Sequence, residues 1–321
     1  MHLTKNQLLV SLGLIICIVL VFFSNSIFSK KENSAPQVKG VSIEIPTENV
    51  KIEEIAKPPI QTKKGDIAVQ ARNAILVDVD SAKVLYEKNS EEIVSIASTT
   101  KLITAAVVFD NPEIYDFDEQ ITVKKETAIV PGSVMNLRPN EKITIEKLVE
   151  GLLVVSGNDA ARTLADHAGS IDKFVQMMNE KAKELGMTNS IFKDPAGYED
   201  EGKSTARDLA IIASYNLRFP KFLEIIKKTE YDLFSSDGLV KHHFKNSNRL
   251  VNPNEPLYLS YAIGMKTGFT PTAGHCLVSA AKKDGHTIIA VVLNTYSNTN
   301  DASARVSREL LNWGFSTWTW N

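Results

Sequence analysis

Strand-like runs stand near both ends of the foldable part of this chain and helix-like runs fill the middle, so any sheet must be closed from segments far apart in sequence. Asn73–Asp78 and Lys83–Glu87 alternate as two strands around an Asp80-Ser81 turn. His275–Ala281 and Thr287–Leu293 are apolar runs joined through Lys282-Lys283-Asp284-Gly285, a hairpin signal. Between these pairs the spacing predicts a helix opened by Ser98 and running to about Phe109, with Leu102, Ile103, Ala106 and Val107 apolar. Glu146–Val155 and Asp159–Ala168 are helical in pattern, and Ser170–Leu185 is a strongly amphipathic helix ended by Gly186. Thr205–Asp208 forms a capping box ahead of Leu209–Tyr215, and Ala302–Trp313 closes the chain as a helix. The expected class is α+β: an antiparallel sheet flanked by helices, with a mainly helical subdomain.

Length and composition narrow the rest. The 321 residues, 43% hydrophobic, can bury a substantial core. A net charge of -2 and the lack of basic clusters interleaved with aromatics argue against nucleic acid as a partner. Two cysteines, Cys17 and Cys276, make no disulfide framework. Leu8–Phe23 is nearly unbroken apolar sequence after Lys5, the layout of an export signal. It is short against the roughly 20 residues of a spanning helix, although Ile27 and Phe28 extend it. No small-x-small cleavage site follows, which favours an uncleaved anchor. Ile16 is too bulky, and Cys17 too central, for lipoprotein processing. Lys30 and Lys31 on the far side leave orientation unspecified by charge. From Ser29 to Asp66 the sequence is polar and broken by Pro36, Pro46, Pro58 and Pro59, which reads as an extended tether, with a partial fold-back onto the domain as the alternative. The expected organisation is an anchor over 1–28, a flexible linker over 29–66 and a folded domain over 67–321.

Three short motifs carry the chemistry. In Ser98-Thr99-Thr100-Lys101 the serine and lysine share a helix face, so their side chains can meet. A serine hydroxyl attacks only after a neighbour takes its proton, and Lys101 can do so only as a neutral amine, with a pKa depressed by burial or by a second cation such as Lys266. A lone Ser-x-x-Lys also fits a helix cap with a solvated lysine, and the pattern recurs at Ser170, Ser190 and Ser279. Ser156-Gly157-Asn158 falls on the bend between two helices; Ser156 reads as a proton carrier and Asn158 as the amide that orients Lys101 and a substrate backbone, against the alternative of an ordinary interhelical turn. Lys266-Thr267-Gly268 is expected on a sheet edge, where Gly268 leaves room for an extended peptide and Lys266 and Thr267 hold a terminal carboxylate; the alternative is a charged turn entering a strand.

In this order, and with their surroundings Ile96–Leu102, Gly151–Ala161, Ser204–Ala210 and Gly264–Thr270, the motifs resemble those of the low-molecular-mass penicillin-binding proteins, the serine D-alanyl-D-alanine carboxypeptidases, from about Ala71 to Phe315. The resemblance implies the β-lactamase and penicillin-binding-protein transpeptidase fold, no cofactor and no metal, and an acyl-enzyme on Ser98. It implies peptidoglycan stem peptides as substrates and β-lactams as covalent inhibitors. The oxyanion hole would be the backbone N–H groups of Ser98 and Phe269. Many members continue into a second β-rich module that is not expected after Phe315, which leaves the N-terminal segment as the membrane contact; the domain is then expected outside the cell membrane, or secreted if that segment is cleaved. One departure stands out. Where the family often carries a carboxylate-binding arginine this chain has Ser303, with Arg305 two residues on as a candidate replacement. Against a β-lactamase stands the lack of a Glu-x-x-Leu-Asn pentapeptide; against a zinc peptidase, the lack of His-Glu-x-x-His; and against a catalytically degenerate wall-binding protein, the three intact motifs.

Overall fold

The computed structural model describes residues 56–63 and 65–320. Leu8–Phe23 and the tether up to residue 55 lie outside the described residues, and among the described residues no helix is long and apolar enough to cross a membrane. The chain opens with Ile60–Gln61 (β1), Ala71–Asp78 (β2), Val84–Lys88 (β3) and Val94–Ser95 (β4), then a single 3-10 turn at Ala97–Thr100 and helix Lys101–Asp110 (α1). Gln120–Thr122 (β5), Lys125–Ala128 (α2) and Lys142–Thr144 (β6) precede Ile145–Leu153 (α3), Asn158–His167 (α4) and Ile171–Glu184 (α5). Next come Lys203–Ser204 (β7), Ala206–Asn216 (α6), Pro220–Ile226 (α7) and a hairpin of Glu230–Phe234 (β8) with Lys241–Lys245 (β9). Ala262–Thr270 (β10), Gly274–Lys283 (β11), His286–Thr295 (β12), Ala302–Thr317 (α8) and Trp318–Thr319 (β13) end it.

The main sheet has the order β10-β11-β12-β2-β3, antiparallel throughout, so the first strands join the last as the strand placement predicts. Both faces are covered. Ile75, Val278, Ile289 and Val291 pack toward the helical region, while Leu76, Leu277, Ile288 and Val292 lie under Leu310 and Leu311 of α8. That double burial is why these strands read as continuous apolar runs; each such side chain contributes about 1.5–3 kcal/mol through burial.

Local chemistry sets the element ends. Asp284 and Gly285, at φ 52° and 90°, make the two-residue turn between β11 and β12 that needs a left-handed backbone at both positions. Gly186, at φ 76°, ends α5, with its N–H on the Lys183 carbonyl and the Met187 N–H on the Ala182 carbonyl. Thr205 caps α6 by accepting the Asp208 N–H at 3.0 Å. β10 is an edge strand and carries a bulge: the pairing slips between Ala262 and Gly264, and Met265, buried, is held at φ 109°. Such a backbone costs a non-glycine residue of order 1–3 kcal/mol and persists because its packing fixes it.

Two expectations change. Ser98 lies in the 3-10 turn ahead of α1 rather than in its first turn, because the left-handed Ala97, at φ 48°, breaks the helical path before it. The linker was expected to run to residue 66, but Ile60 and Gln61 pair with Thr319 and Trp318 and the Thr62 N–H bonds to the Thr317 carbonyl, so the folded unit starts earlier than residue 67.

Candidate active site

The 3-10 turn after Ala97 leaves Ser98 half-buried while the amine of Lys101 lies wholly inside. Lys101 Nζ is 2.9 Å from Ser98 Oγ, 2.7 Å from Asn158 Oδ1 and 2.7 Å from the Ala196 carbonyl oxygen. A neutral lysine has two hydrogens and a lone pair. Asn158 and Ala196 can only accept, so they take both hydrogens and leave the lone pair facing the one partner that can donate, the Ser98 hydroxyl. Burial pulls the Lys101 pKa down to about 7, with the charges of Asp194 and Asp159 opposing that fall.

Asn158 is oriented by its own network. Its Nδ2 donates to the Pro131 carbonyl at 2.7 Å, which fixes Oδ1 toward Lys101, and its backbone N–H donates to the Ser133 carbonyl at 2.7 Å. Ser156 reverses the chain between α3 and α4 with φ 64°, letting the Gly157 N–H reach the Gly151 carbonyl at 2.8 Å. Gly157 has no alternative there, since a Cβ would come within 2.8 Å of Asp159 Oδ1 and 3.2 Å of the Gly151 oxygen. Ser156 is buried beside Asn158, but among the described residues its hydroxyl has no hydrogen-bond partner and is not tied to Lys101.

On the third side stands β10. Beyond its bulge the strand is regular, and period two puts Lys266 and Gly268 on one face. A Cβ on Gly268 would lie 3.0 Å from the Ile96 oxygen and 3.1 Å from the backbone nitrogens of Ser98 and Thr99. The bare backbone of Gly268 is thus what lets β10 close against the Ser98 turn, a tighter constraint than the room for substrate read from the sequence. Lys266 is fully buried, with Nζ 2.9 Å from the Thr267 carbonyl oxygen and 3.4 Å from Thr267 Oγ1. Its pKa is held well below the usual lysine range by burial first and by Lys101 second. For both lysines burial is the first cause of the depression. Phe269 is exposed and stacks on His275 at 4.4 Å between ring centroids.

Ser98, Lys101, Ser156, Asn158, Lys266, Thr267, Gly268 and Phe269 thus come to one cleft between β10 and the helical region. Arg305 lies near the start of α8, half exposed, with its guanidinium on Asp301, and Ser303 is buried.

Several contributors escaped the sequence reading. Asp194 is buried, and its carboxylate accepts four backbone N–H groups, from Ala196, Gly197, Tyr198 and Glu199, at 2.7 to 3.2 Å. It thereby folds the loop that brings the Ala196 oxygen to Lys101. Gly197, at φ 72°, is packed so closely that a Cβ would meet the Ala97 oxygen at 2.0 Å. Asp159 ties the 133–137 segment to α4 through the N–H groups of Met135 and Leu137. The Asp-Pro-x-Gly run at 194–197 was the available signal, with turn formers at Asp194, Pro195 and Gly197.

A family model described as D-alanyl-D-alanine carboxypeptidase matches residues 59–297. The D-alanyl-D-alanine carboxypeptidase DacF of Bacillus subtilis is 34% identical over 259 residues, covering 79% of this chain and 64% of that protein. DacC of Escherichia coli, of the same description, is 35% identical over 261 residues, 77% of this chain and 62% of the relative. The chain therefore spans under two thirds of the length of these two relatives. Among solved structures, the Streptomyces K15 DD-transpeptidase superposes with a TM-score of 0.72 at 30% identity, over 79% of this chain and 100% of that one.

Proposed function

The chain belongs to the D-alanyl-D-alanine carboxypeptidase family, and from that premise we propose that it is a serine-type D-Ala-D-Ala carboxypeptidase that removes the terminal D-alanine from peptidoglycan stem peptides. The observation that carries the reading is the Lys101 amine, buried, depressed to about 7 and 2.9 Å from the Ser98 hydroxyl. Neutral Lys101 takes the Ser98 proton as Oγ attacks the penultimate carbonyl, with the Ser98 and Phe269 N–H groups donating to the oxyanion. The peptide C–N bond breaks, the proton passes from Lys101 through Ser156 to the leaving amine, and water later hydrolyses the ester on Ser98. Lys266 and Thr267 hold the terminal carboxylate, whose charge favours the protonated form of Lys266. A β-lactam follows the same first step, but its leaving amine stays tethered and obstructs water, so the adduct persists. The apolar run Leu8–Phe23 and the polar stretch after it support a domain tethered outside the cell membrane, or secreted if that run is removed.

Exposure to penicillin followed by intact-mass measurement and peptide mapping tests the reading. We expect one adduct on Ser98, D-alanine release from diacetyl-Lys-D-Ala-D-Ala, and loss of both in Ser98→Ala. An adduct elsewhere, or none on folded protein, refutes the assignment and favours a wall-binding protein. Rapid multiple-turnover penicillin hydrolysis without D-alanine release makes it a β-lactamase instead.

A further inference from the structure

One hydroxyl in the cleft belongs to none of the three motifs. Ser247 follows the hairpin strand β9, and its N–H donates to the carbonyl of Val154, two residues before Ser156, at 2.9 Å. Its side-chain oxygen lies 2.7 Å from Thr267 Oγ1. Ser247 thus spans the gap between the Ser156 turn and the Lys266 strand.

Its neighbours hold it there. Asn246 and Asn248 are buried, and each spends its side chain on backbone: Asn246 Nδ2 donates to the Lys228 carbonyl at 2.7 Å, Asn246 Oδ1 accepts the Asn248 N–H at 2.9 Å, and Asn248 Oδ1 accepts the Leu250 N–H at 3.0 Å. The alternation turns Ser247 outward, and it is exposed in the segment Lys245–Asn248 where both asparagines are buried. Two hydroxyls this close share one hydrogen between them and keep the other free to donate. The Lys266 amine lies 3.4 Å from Thr267 Oγ1. A pair of hydroxyl donors beside a buried lysine is a receptor for a planar anion with two oxygens.

We propose that Ser247 is a substrate-binding residue that, paired with Thr267, donates a hydrogen bond to the terminal carboxylate of the peptide. The inference rests on the carboxypeptidase reading, which names Lys266 and Thr267 as the carboxylate site. When the carboxylate enters, both hydroxyls release their mutual bond and turn their hydrogens to it, so each oxygen finds a donor while Lys266 supplies the charge. Ser247 exchanges no proton with the reacting atoms.

The test compares D-alanine release from diacetyl-Lys-D-Ala-D-Ala with release of the terminal residue from the same peptide carrying a C-terminal methylamide, in wild type, Ser247→Ala and Ser247→Thr. We expect Ser247→Ala to lower kcat/KM on the carboxylate peptide about 10-fold or more, mainly through KM, as for one lost hydrogen bond to a charged group. The methylamide should lose far less, so the preference for carboxylate over amide shrinks, and Ser247→Thr should restore it. A loosened loop would depress both peptides together. An unchanged carboxylate preference in folded Ser247→Ala, or no recovery in Ser247→Thr, overturns the inference alone. A wild type that neither releases D-alanine nor takes up penicillin overturns the underlying reading and this inference with it.

Discussion

Replacing Asp194 by asparagine is expected to make the protein less stable and, at the same time, competent for acylation at lower pH. The aspartate accepts the N–H groups of Ala196, Gly197 and Tyr198 on one oxygen at 2.7, 2.8 and 3.2 Å, and that of Glu199 on the other at 2.9 Å. An asparagine keeps one oxygen and turns a donor toward the Glu199 N–H. One bond is lost and three lose an ionic acceptor, a difference of about 1 kcal/mol each before relaxation, so about 2–4 kcal/mol in all. For a domain of this size that lowers the melting midpoint by about 5 to 10 °C. Lys101 responds through two effects of one sign. The Asp194 charge favours its protonated form, and the Ala196 oxygen, 2.7 Å from Nζ, is placed by the Asp194 loop. Losing the first and loosening the second both disfavour the ammonium, so the Lys101 pKa moves further below about 7. Acylation requires the neutral amine; its rate in wild type should climb as pH rises through about 7, and in the variant the climb should start up to about one pH unit earlier, the order of one nearby opposite charge. The assay is the second-order rate of penicillin acylation, followed by mass on quenched samples across the pH range, with thermal denaturation at each pH. An acid limb that stays put or moves upward in folded Asp194→Asn refutes the reasoning.

Gly268→Ala brings a methyl to 3.1 Å from the Ser98 nitrogen and 3.0 Å from the Ile96 oxygen, so penicillin acylation should fall about 10²–10³-fold, as for a lost oxyanion donor; near-wild-type acylation would show that β10 can retreat freely. A chain shortened to begin at Asp66 loses the pairing of Ile60–Gln61 with Trp318–Thr319, and should melt a few degrees below one beginning at Lys57 while hydrolysing small peptides at the same rate; equal melting would make β1 dispensable.

The sheet was legible because its central strands are buried on both faces, and a run such as Ile75-Leu76-Val77 has no other good place in a domain of this size. The β11–β12 hairpin was legible because Asp284-Gly285 is a turn that few other pairs can make. The β8–β9 hairpin was not, since its buried positions include a histidine, His242, whose ring is bonded to Glu141 and the Met135 carbonyl, and polar residues in a short strand hide its alternation. In the site, side chains that act through helix spacing were visible from the order of the motifs, as with Ser98 and Lys101. Contributions made by backbone, such as the Ala196 oxygen, or by a residue folding a loop from a distance, such as Asp194, leave no pattern of their own.

The bulge in β10 sets how long a guest strand can be. An unpaired strand edge accepts any extended chain, including the same strand from another copy, and long flat edges seed fibres. Here the pairing slips between Ala262 and Gly264, Gly264 and Met265 follow at positive φ, and the ordinary extended backbone left to a visitor runs from Lys266 to Thr270, about 17 Å at strand spacing. That is enough for the last few residues of a peptide, whose end then meets Lys266. A longer strand would gain no further hydrogen bonds past the bulge and would have to bury its continuation against a backbone running out of register. The same distortion that turns Lys266 inward keeps an edge that must stay open for substrate from becoming a template for self-association.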